Sequence, residues 1–235
     1  MKVTIKEYTI RPLDRIAEAA GTSTDRRDTS EKRVRRCFEQ GHGAVFEFAD
    51  VTMFIEGISR ACSHQLVRHR MASYCQKSQR YTTLKGDDWY VTPPAALEHD
   101  ETTIEPRYFQ RAMDAYKRNY ELALAMGLKP EDARFLLPEA TKTAITMKIN
   151  VRSLFNFLTL RTDKSAQWEI RDLANEIKEK CKGINDQWAT LIGLWEDKIK
   201  TREGKIKAII EWFGDEHDPE LVREATDYLD QLLRR

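Results

Sequence analysis

The sequence predicts an α+β fold: a single mixed domain with a central, mostly antiparallel sheet flanked by helices, followed by a helical C-terminal extension. Short β-prone stretches with alternating apolar residues occur near the N-terminus and at 143–151. Several longer segments repeat apolar residues at helical spacing. With 235 residues, of which 41% are apolar and 33% charged, the chain is long enough to bury the core of one compact domain.

In the first half of the chain, strands are predicted from alternating or β-branched runs, and helices from apolar periodicity and turn residues. The predicted elements are one or two strands at 3–10, a polar loop leading to a helix near 30–40, a strand at 46–55, a helix from Gly57 to Ala72, and a loop with a short strand at 74–94.

In the second half, glycine and proline mark the ends of the predicted elements. These are an amphipathic helix at 109–124 stopped by Gly127, a short helix from Pro130 to Leu137, a strand at 143–151, helices at 152–161 and 166–182, and one or two helices beyond Gly204 with Asp218-Pro219 as an entry signal. No repeat or flexible linker is seen, so 1–200 is predicted as the main body of one domain and 201–235 as its helical extension.

Composition argues against several classes of protein. The formal charge of +1 favours neither nucleic acid nor an anionic membrane as partner. Apolar runs are far shorter than the roughly 20 residues of a membrane span, and the N-terminus does not resemble a secretory signal, so a cytoplasmic protein is expected. The four cysteines stand singly, which predicts reduced thiols and no metal site.

Two stretches lack acidic residues although charges balance overall. No Asp or Glu lies between Glu56 and Asp87, where arginines, lysines and two histidines occur, and a second such stretch runs from Ala140 to Thr162. The two stretches could fold together into one anion-binding site, or they could form a solvated basic face.

The residue types in these stretches favour a small phosphorylated ligand over a duplex. Arginine offers planar, paired donors to phosphate, whereas a polynucleotide-binding tract is expected to be longer and richer in lysine. Serine and glutamine side chains at 73–79 can complete a cage around a phosphate or a base edge. Arg152 and Asn156 share a face of a predicted helix, whereas Arg161 points to roughly the other side and could serve a different ligand or another subunit.

Three segments carry a resemblance to a known family. RHRMASYCQKSQRY at 68–81 contains Arg-His-Arg followed by seven residues and Ser78, and it resembles the signature of the flavin-dependent thymidylate synthases. GHGAVFEF at 41–48 is similar to the histidine-containing segment of that family, and NVRSLFNFLTLRTDKSAQWEI at 150–170 resembles its second binding segment. The similarity covers roughly residues 38–182.

This resemblance implies an activity, cofactors and an assembly. In the family, reduced FAD takes a one-carbon unit from methylenetetrahydrofolate and delivers it, with a hydride, to C5 of dUMP, which forms dTMP. NADPH supplies the reducing power. The resemblance also implies a homotetramer with active sites between subunits, so that one chain alone is expected to be inactive.

The resemblance further assigns residues to ligands. The residues implied for dUMP are Gln65, Leu66, Val67, Arg68, Gln76, Lys77, Ser78, Gln79, Arg80, Arg134 and Arg161. Those implied for FAD are His42, Ala44, Arg68, His69, Arg70, Gln76, Asn150, Val151, Arg152 and Asn156. Arg161 is the catalytic candidate, because an arginine near uracil N3 and O4 stabilises the N3 anion and makes C5 a better nucleophile.

Two other classes of function stay open at this point. Ala44, Phe48, Cys75 and Ser165 depart from the family pattern, and the changes at Ala44, Phe48 and Ser165 suit a module of the same fold that binds a nucleotide without turnover. The acid-free stretches suit a basic nucleic-acid-binding module, although near-zero net charge argues against it. Ser78 can be read as a nucleophile or as a phosphate ligand, and the absence of an adjacent base favours the second reading.

Overall fold

The computed structural model describes residues 1–22, 30–84, 86–96 and 106–214. Its elements, in chain order, are β1 (Lys2–Tyr8), α1 (Pro12–Thr22), α2 (Glu31–Glu39), a 3-10 helix (Gly43–Phe48), β2 (Asp50–Ser59), α3 (Arg60–Leu66), β3 (Ala72–Gln76), a 3-10 turn (Pro94–Ala96), α4 (Pro106–Ala125), α5 (Pro130–Ala133), a second 3-10 turn (Arg134–Leu136), β4 (Lys142–Asn150), α6 (Val151–Arg161), α7 (Trp168–Lys182) and α8 (Asp186–Gly214).

Within the described residues, four strands form one sheet in the order β1-β2-β4-β3. Every neighbouring pair is antiparallel. The two central strands, β2 and β4, come from distant parts of the chain and pair along their whole length, with Asp50 opposite Asn150 at one end and Ser59 opposite Lys142 at the other. The predicted α+β class with a mostly antiparallel sheet is therefore confirmed.

One face of this sheet is buried under helices. Alternate residues of the central strands, among them Met53 and Ile55 on β2 and Ile145 and Met147 on β4, have no exposed surface. They pack in one apolar cluster with side chains of α1, α6, α7 and α8, including Trp188. Each fully buried aliphatic side chain of this kind contributes about 2 kcal/mol to folding, so the cluster fixes the helices that carry the polar residues described below.

A second, smaller apolar cluster joins α4 to α5. Tyr120 and Ala123 of α4 and Ala133 of α5 are buried in it, and Leu84 and Leu137 pack against its edge. The predicted amphipathic helix is thus confirmed. Its stop at Gly127 is also confirmed, because this residue has a φ of 92°, which favours glycine after a helix end.

The region around Gly57 was predicted wrongly. Gly57 does not open a helix: it lies inside β2 at a register shift, with a φ of 75°. The positive φ favours glycine here, and a Cβ would also lie 3.3 Å from the Met1 nitrogen, which is a tight contact. The strand continues to Ser59, and the helix starts only at Arg60.

Other boundaries near the N-terminus also differ from the prediction. The strand expected from Phe46 begins at Asp50, because residues 43–48 form a 3-10 helix. The helix expected to run to Ala72 ends at Leu66, and residues 72–76 form the edge strand β3 where a helix end and a loop were predicted. Helix α1 at Pro12–Thr22 was not predicted.

The C-terminal elements follow the prediction more closely. The predicted strand at 143–151 and helices at 152–161 and 166–182 correspond to β4, α6 and α7. The helix expected beyond Gly204 is the end of α8, which begins already at Asp186. Since α8 crosses residue 200, the predicted division of the chain into 1–200 and 201–235 stays a prediction. Asp218-Pro219 lies outside the described residues, and the strand expected at 89–94 is a single bridge between Tyr90 and Thr141.

No helix in the described part of the chain combines the length and the apolar character that crossing a membrane requires.

Candidate active site

Helix α3 presents the first part of the family signature, and its start is held by buried hydrogen bonds. Ser59 caps the helix, since its Oγ accepts a hydrogen bond from the Cys62 backbone N–H at 2.9 Å. The carboxylate of Glu169, on α7, accepts hydrogen bonds from the Ser59 backbone N–H at 2.7 Å and from the Ser59 hydroxyl at 2.5 Å. Both side chains are about 3% exposed, so α7 fixes the start of α3 from inside the core.

The Arg68-His69-Arg70 segment forms a turn between α3 and β3. Arg68 and Arg70 are exposed, whereas His69 is only 7% exposed and packs its ring edge-on against Phe157 at 5.5 Å. Burial lowers the pKa of His69, because it disfavours the charged imidazolium, and a backbone hydrogen bond with Ser153 opposes this shift. The turn therefore holds one neutral ring inward and two guanidinium groups outward.

His69 Nε2 is buried without a hydrogen-bond partner among the described residues, and so is the Oγ of Ser153. His69 contacts the first turn of α6, where Asn150 caps the helix by accepting a hydrogen bond from the Ser153 backbone N–H at 2.9 Å. Two buried polar atoms without a hydrogen-bond partner in the described part of the chain thus lie at the helix start that also carries Asn150, Val151 and Arg152, which are predicted to bind FAD.

Arg161 is the last residue of α6 and lies close to the same turn. Its Nη2 donates to the Gln65 carbonyl oxygen at 3.4 Å. Its charge is also close enough to affect the ionisation of Cys62 and Tyr74. Burial raises the pKa of Tyr74 to about 12, and the positive charge of Arg161 opposes this rise. The structure thus places the catalytic candidate beside the C-terminal end of α3.

A second group of predicted residues lies at the opposite end of α6. Arg152 donates to the Glu47 carboxylate at 2.6 Å, and a Cβ on Gly43 would come within 2.9 Å of the Arg152 Nε atom. His42 and Ala44 line a neighbouring cavity of about 320 Å³. Because a helix rises about 1.5 Å per residue, Arg152 and Arg161 are separated by roughly 13 Å along α6.

A third group surrounds α5. Arg80 contacts the Glu131 carboxylate at 3.0 Å, and Arg134 donates to the Glu131 backbone oxygen at 3.0 Å. Gln79 and Arg134 line a cavity of about 380 Å³ together with Arg60 and His64. Burial lowers the pKa of Arg60, Glu139 counteracts the shift, and the charge of Arg134 adds to it.

The last residue of β3 and the residues that follow it carry further side chains predicted to bind dUMP. Gln76 donates through its amide to the buried Ser63 hydroxyl at 2.8 Å and to Thr143 at 3.2 Å. The Ser78 hydroxyl accepts a hydrogen bond from the Arg80 backbone N–H at 3.2 Å. Lys77 is exposed, and its backbone N–H bonds to Ala144 of β4.

The remaining predicted residues differ in accessibility. Val67 and Asn156 are exposed, whereas Leu66 and Val151 have no exposed side-chain surface. Any ligand contact of these two buried residues would have to use the backbone. The Leu66 oxygen already accepts two hydrogen bonds, and the Val151 N–H bonds to Ala49, which leaves little capacity for a ligand.

Comparison with known proteins assigns this arrangement to a family. A family model described as thymidylate synthase complementing protein matches residues 4–185. The chain is 40% identical over 195 residues to the flavin-dependent thymidylate synthase of Geobacter sulfurreducens, covering 78% of this chain and 83% of that protein. This chain belongs to the flavin-dependent thymidylate synthase family.

Two further matches agree with membership of the flavin-dependent thymidylate synthase family. The family member from Pyrococcus furiosus is 37% identical over 209 residues, covering 81% of this chain and 85% of that protein. The structure is also similar to a flavin-dependent thymidylate synthase of Helicobacter pylori complexed with FAD and dUMP, with a TM-score of 0.61 at 28% identity, covering 76% of this chain and 93% of that one. The family predicted from the three sequence segments is therefore confirmed.

Sequence reasoning missed several polar residues that shape the site of this flavin-dependent thymidylate synthase family member. Glu47 lies inside the GHGAVFEF segment and Arg60 inside the first acid-free stretch, so both carried a signal. Glu169 and Tyr74 carried none beyond lying inside the matched segments, because their importance comes from tertiary hydrogen bonds. Glu131 becomes relevant only because α5 brings it to Arg80.

Proposed function

We propose that this protein methylates dUMP at C5 to form dTMP, with methylenetetrahydrofolate as carbon donor and NADPH as reductant. FAD, when bound, would supply the hydride that converts the transferred carbon into a methyl group. The observation that carries the proposal is the turn with exposed Arg68 and Arg70, fixed to the core inside the family signature and next to Arg161.

The donors at the N-terminal end of α6 suit the diphosphate of FAD. Arg152 offers a planar guanidinium and Asn150 an amide group at this helix end, and Asn156 offers an amide about one turn further along, on the same face as Arg152. The ion pair of Arg152 with Glu47 is solvent-exposed and therefore weak, so a ligand phosphate can replace the carboxylate. Gly43 leaves room for the guanidinium, which a Cβ would push aside.

The other proposed FAD contacts extend from this helix end. They are His42, Ala44, Arg68, His69, Arg70, Gln76 and the backbone of Val151. His42 and Ala44 lie at the cavity beside Gly43, and Arg68 and Arg70 extend from the turn into solvent. Because His69 is buried, we propose that it fixes the position of the turn and does not present its ring to solvent.

For dUMP, we propose that charge and hydrogen bonding are divided among the clusters of donors. Arg161 would hold the N3 and O4 edge of uracil and stabilise the anion, which activates C5 without a cysteine nucleophile. The remaining proposed contacts are Gln65, Leu66, Val67, Arg68, Gln76, Lys77, Ser78, Gln79, Arg80 and Arg134. Arg80 and Arg134 meet at α5, where paired guanidinium groups suit the phosphate.

We further propose a homotetramer with active sites between subunits. The proposed ligand residues form separate surface groups at the two ends of α6 and around α5. FAD is proposed to bind at the Arg152 end of α6 and dUMP at the Arg161 end, roughly 13 Å apart along the helix, so the two ligands together need an extended site. A neighbouring chain can supply further donors to such a site.

We also propose a cytoplasmic location, as the sequence predicts, because the substrates are soluble small molecules.

An absorbance spectrum of the purified protein tests the flavin part of this proposal. The protein is expected to show yellow flavin bands that bleach on anaerobic addition of NADPH, and to bleach faster when dUMP is present. A colourless protein that fails to take up added FAD would contradict the proposal and would favour a nucleotide-binding module without turnover.

A further inference from the structure

One tyrosine hydroxyl hydrogen-bonds to the backbone of the turn that presents Arg68. Tyr74 Oη lies 3.0 Å from the Leu66 carbonyl oxygen and 2.9 Å from the His69 carbonyl oxygen, so it donates a shared hydrogen bond to both. These two carbonyls lie on either side of Arg68 in the sequence. The Leu66 oxygen also accepts the His69 N–H at 3.1 Å, which closes the turn.

The tyrosine itself is firmly placed. Tyr74 is the middle residue of β3 and pairs with Met147 on the central strand β4. Its ring packs against the main apolar cluster, and burial raises the pKa of its hydroxyl to about 12. A tyrosine hydroxyl is a hydrogen-bond donor at neutral pH even without this shift. The hydroxyl therefore connects the sheet to the backbone on both sides of Arg68, whereas the packing of His69 on Phe157 holds the turn through a side chain.

Resting on the proposed function, we propose that Tyr74 is a positioning residue that sets the direction of Arg68 toward dUMP. The carbonyls of Leu66 and His69 bracket the arginine, and fixing both restricts the backbone angles that aim its side chain. Without the hydroxyl, the two oxygens turn toward water and Arg68 samples more directions. Tyr74 thus reduces the conformational entropy that the Arg68 side chain loses when it binds the nucleotide.

Tyr74→Phe tests this inference, because it removes only the hydroxyl. We expect the full-length FAD-loaded variant to bind dUMP about three- to tenfold more weakly in isothermal titration calorimetry. The matched control is Tyr120→Phe: Tyr120 is 1% exposed in the separate α4 cluster, and its hydroxyl also has a backbone partner, Leu84. The control is expected to lower the thermal midpoint comparably and to leave the dUMP affinity within twofold.

A double-mutant cycle separates positioning from general destabilisation. If Tyr74 acts through Arg68, Tyr74→Phe should weaken dUMP binding in the wild-type background and have no further effect in an Arg68→Gln background. Additive losses in the double variant would overturn the inference, and so would an unchanged dUMP affinity in Tyr74→Phe.

The wild-type titration keeps this test distinct from the test of the proposed function. If the wild-type protein binds no dUMP, the proposed function fails and the positioning role fails with it. If the wild-type protein binds dUMP and Tyr74→Phe binds it equally well, only the positioning role fails. Equal weakening by Tyr74→Phe and Tyr120→Phe would also overturn the role, because it would show an effect of stability alone.

Discussion

Arg161 combines a half-buried guanidinium with a fixed place at the end of a helix that packs on the core. Its Nη2 contacts the Gln65 carbonyl, and the helix behind it packs Phe157 and Leu158 into the core. A rigid backbone of this kind holds a positive charge in place before the substrate arrives, which is the property that makes an electrostatic group effective in a transition state.

Arg161→Ala is therefore expected to lower dTMP formation by a factor of about 100 or more while leaving the flavin bound, because it removes the charge that stabilises the uracil anion. Product formation is measured by chromatography, and FAD content by absorbance. Arg171→Ala is the matched control, since that arginine lies on α7 and bonds to backbone oxygens of the Lys164–Ala166 loop. Wild-type turnover in Arg161→Ala would contradict its catalytic role.

His69 makes stability depend on pH in a defined direction. Its pKa in the folded protein lies below the usual value because the ring is buried, so the unfolded chain binds a proton first as the pH falls. The stability that the neutral ring contributes is present above pH 6.5 and is lost as the pH falls below that value and through the folded pKa.

The free energy of unfolding of wild-type protein and of His69→Asn, measured in urea at saturating FAD, should reveal this dependence. The wild-type advantage over the variant is expected to shrink between pH 7.5 and 5.5, because asparagine does not titrate. A difference that stays constant or grows on acidification would contradict the buried neutral state of His69.

At the scale of elements, strongly periodic segments were predictable and tertiary contacts were not. Helices α6 and α7 and strand β4 were predicted nearly to the residue, because their apolar faces repeat clearly. Strand β3 was missed, because it is short and polar and forms only by pairing with β4, which lies about 70 residues later in the chain. Residues 43–48 have the β-prone composition of a strand but form the 3-10 helix before β2. Phe48, which a strand could have buried in the core, is 63% exposed there.

The candidate site, too, could be predicted from the sequence only in part. The Arg68–Arg70 turn could be recognised from its motif, since the order of residues in the chain is enough to define it. The residues that hold this turn and the helix before it could not be recognised, because the motif does not show that the Tyr74 hydroxyl bonds back to the His69 carbonyl or that Glu169 bonds to the distant Ser59. The assignments of individual residues to dUMP and FAD remain predictions.

The contact between α7 and α3 is predicted to be a strong local determinant of stability. Glu169→Ala leaves the buried Ser59 N–H and hydroxyl without their charged acceptor and should cost about 2 to 3 kcal/mol in urea unfolding. Glu169→Gln keeps one acceptor and should cost less. The control Glu176→Ala removes only an exposed pair with Lys180 on the same helix, worth about 0.3 kcal/mol. Equal losses in Glu169→Ala and Glu176→Ala would contradict the structure.

At the scale of the whole molecule, the proposed homotetramer places each active site between chains. Arg161 lies at the end of α6, where it contacts Gln65, and Arg134 follows α5 and lines a cavity with His64. If one site uses Arg161 from one subunit and Arg134 from another, two different inactive chains can complement each other.

Mixed tetramers of Arg161→Ala and Arg134→Ala chains are therefore expected to regain part of the dTMP-forming activity, because some of their sites contain neither substitution. Each variant alone is expected to be nearly inactive. Refolding or co-expression of the two chains followed by product analysis gives the measurement. Mixed assemblies no more active than either variant would show that both residues serve a site from the same chain.

The most direct test of the proposed function is the formation of dTMP itself. Full-length protein with FAD, incubated anaerobically with dUMP, methylenetetrahydrofolate and NADPH, is expected to produce dTMP over many turnovers. Omission of any one of these components should abolish the product. Protein that binds FAD and dUMP and still makes no dTMP in the complete mixture would contradict the proposed enzyme activity and leave a nucleotide-binding protein of the same fold.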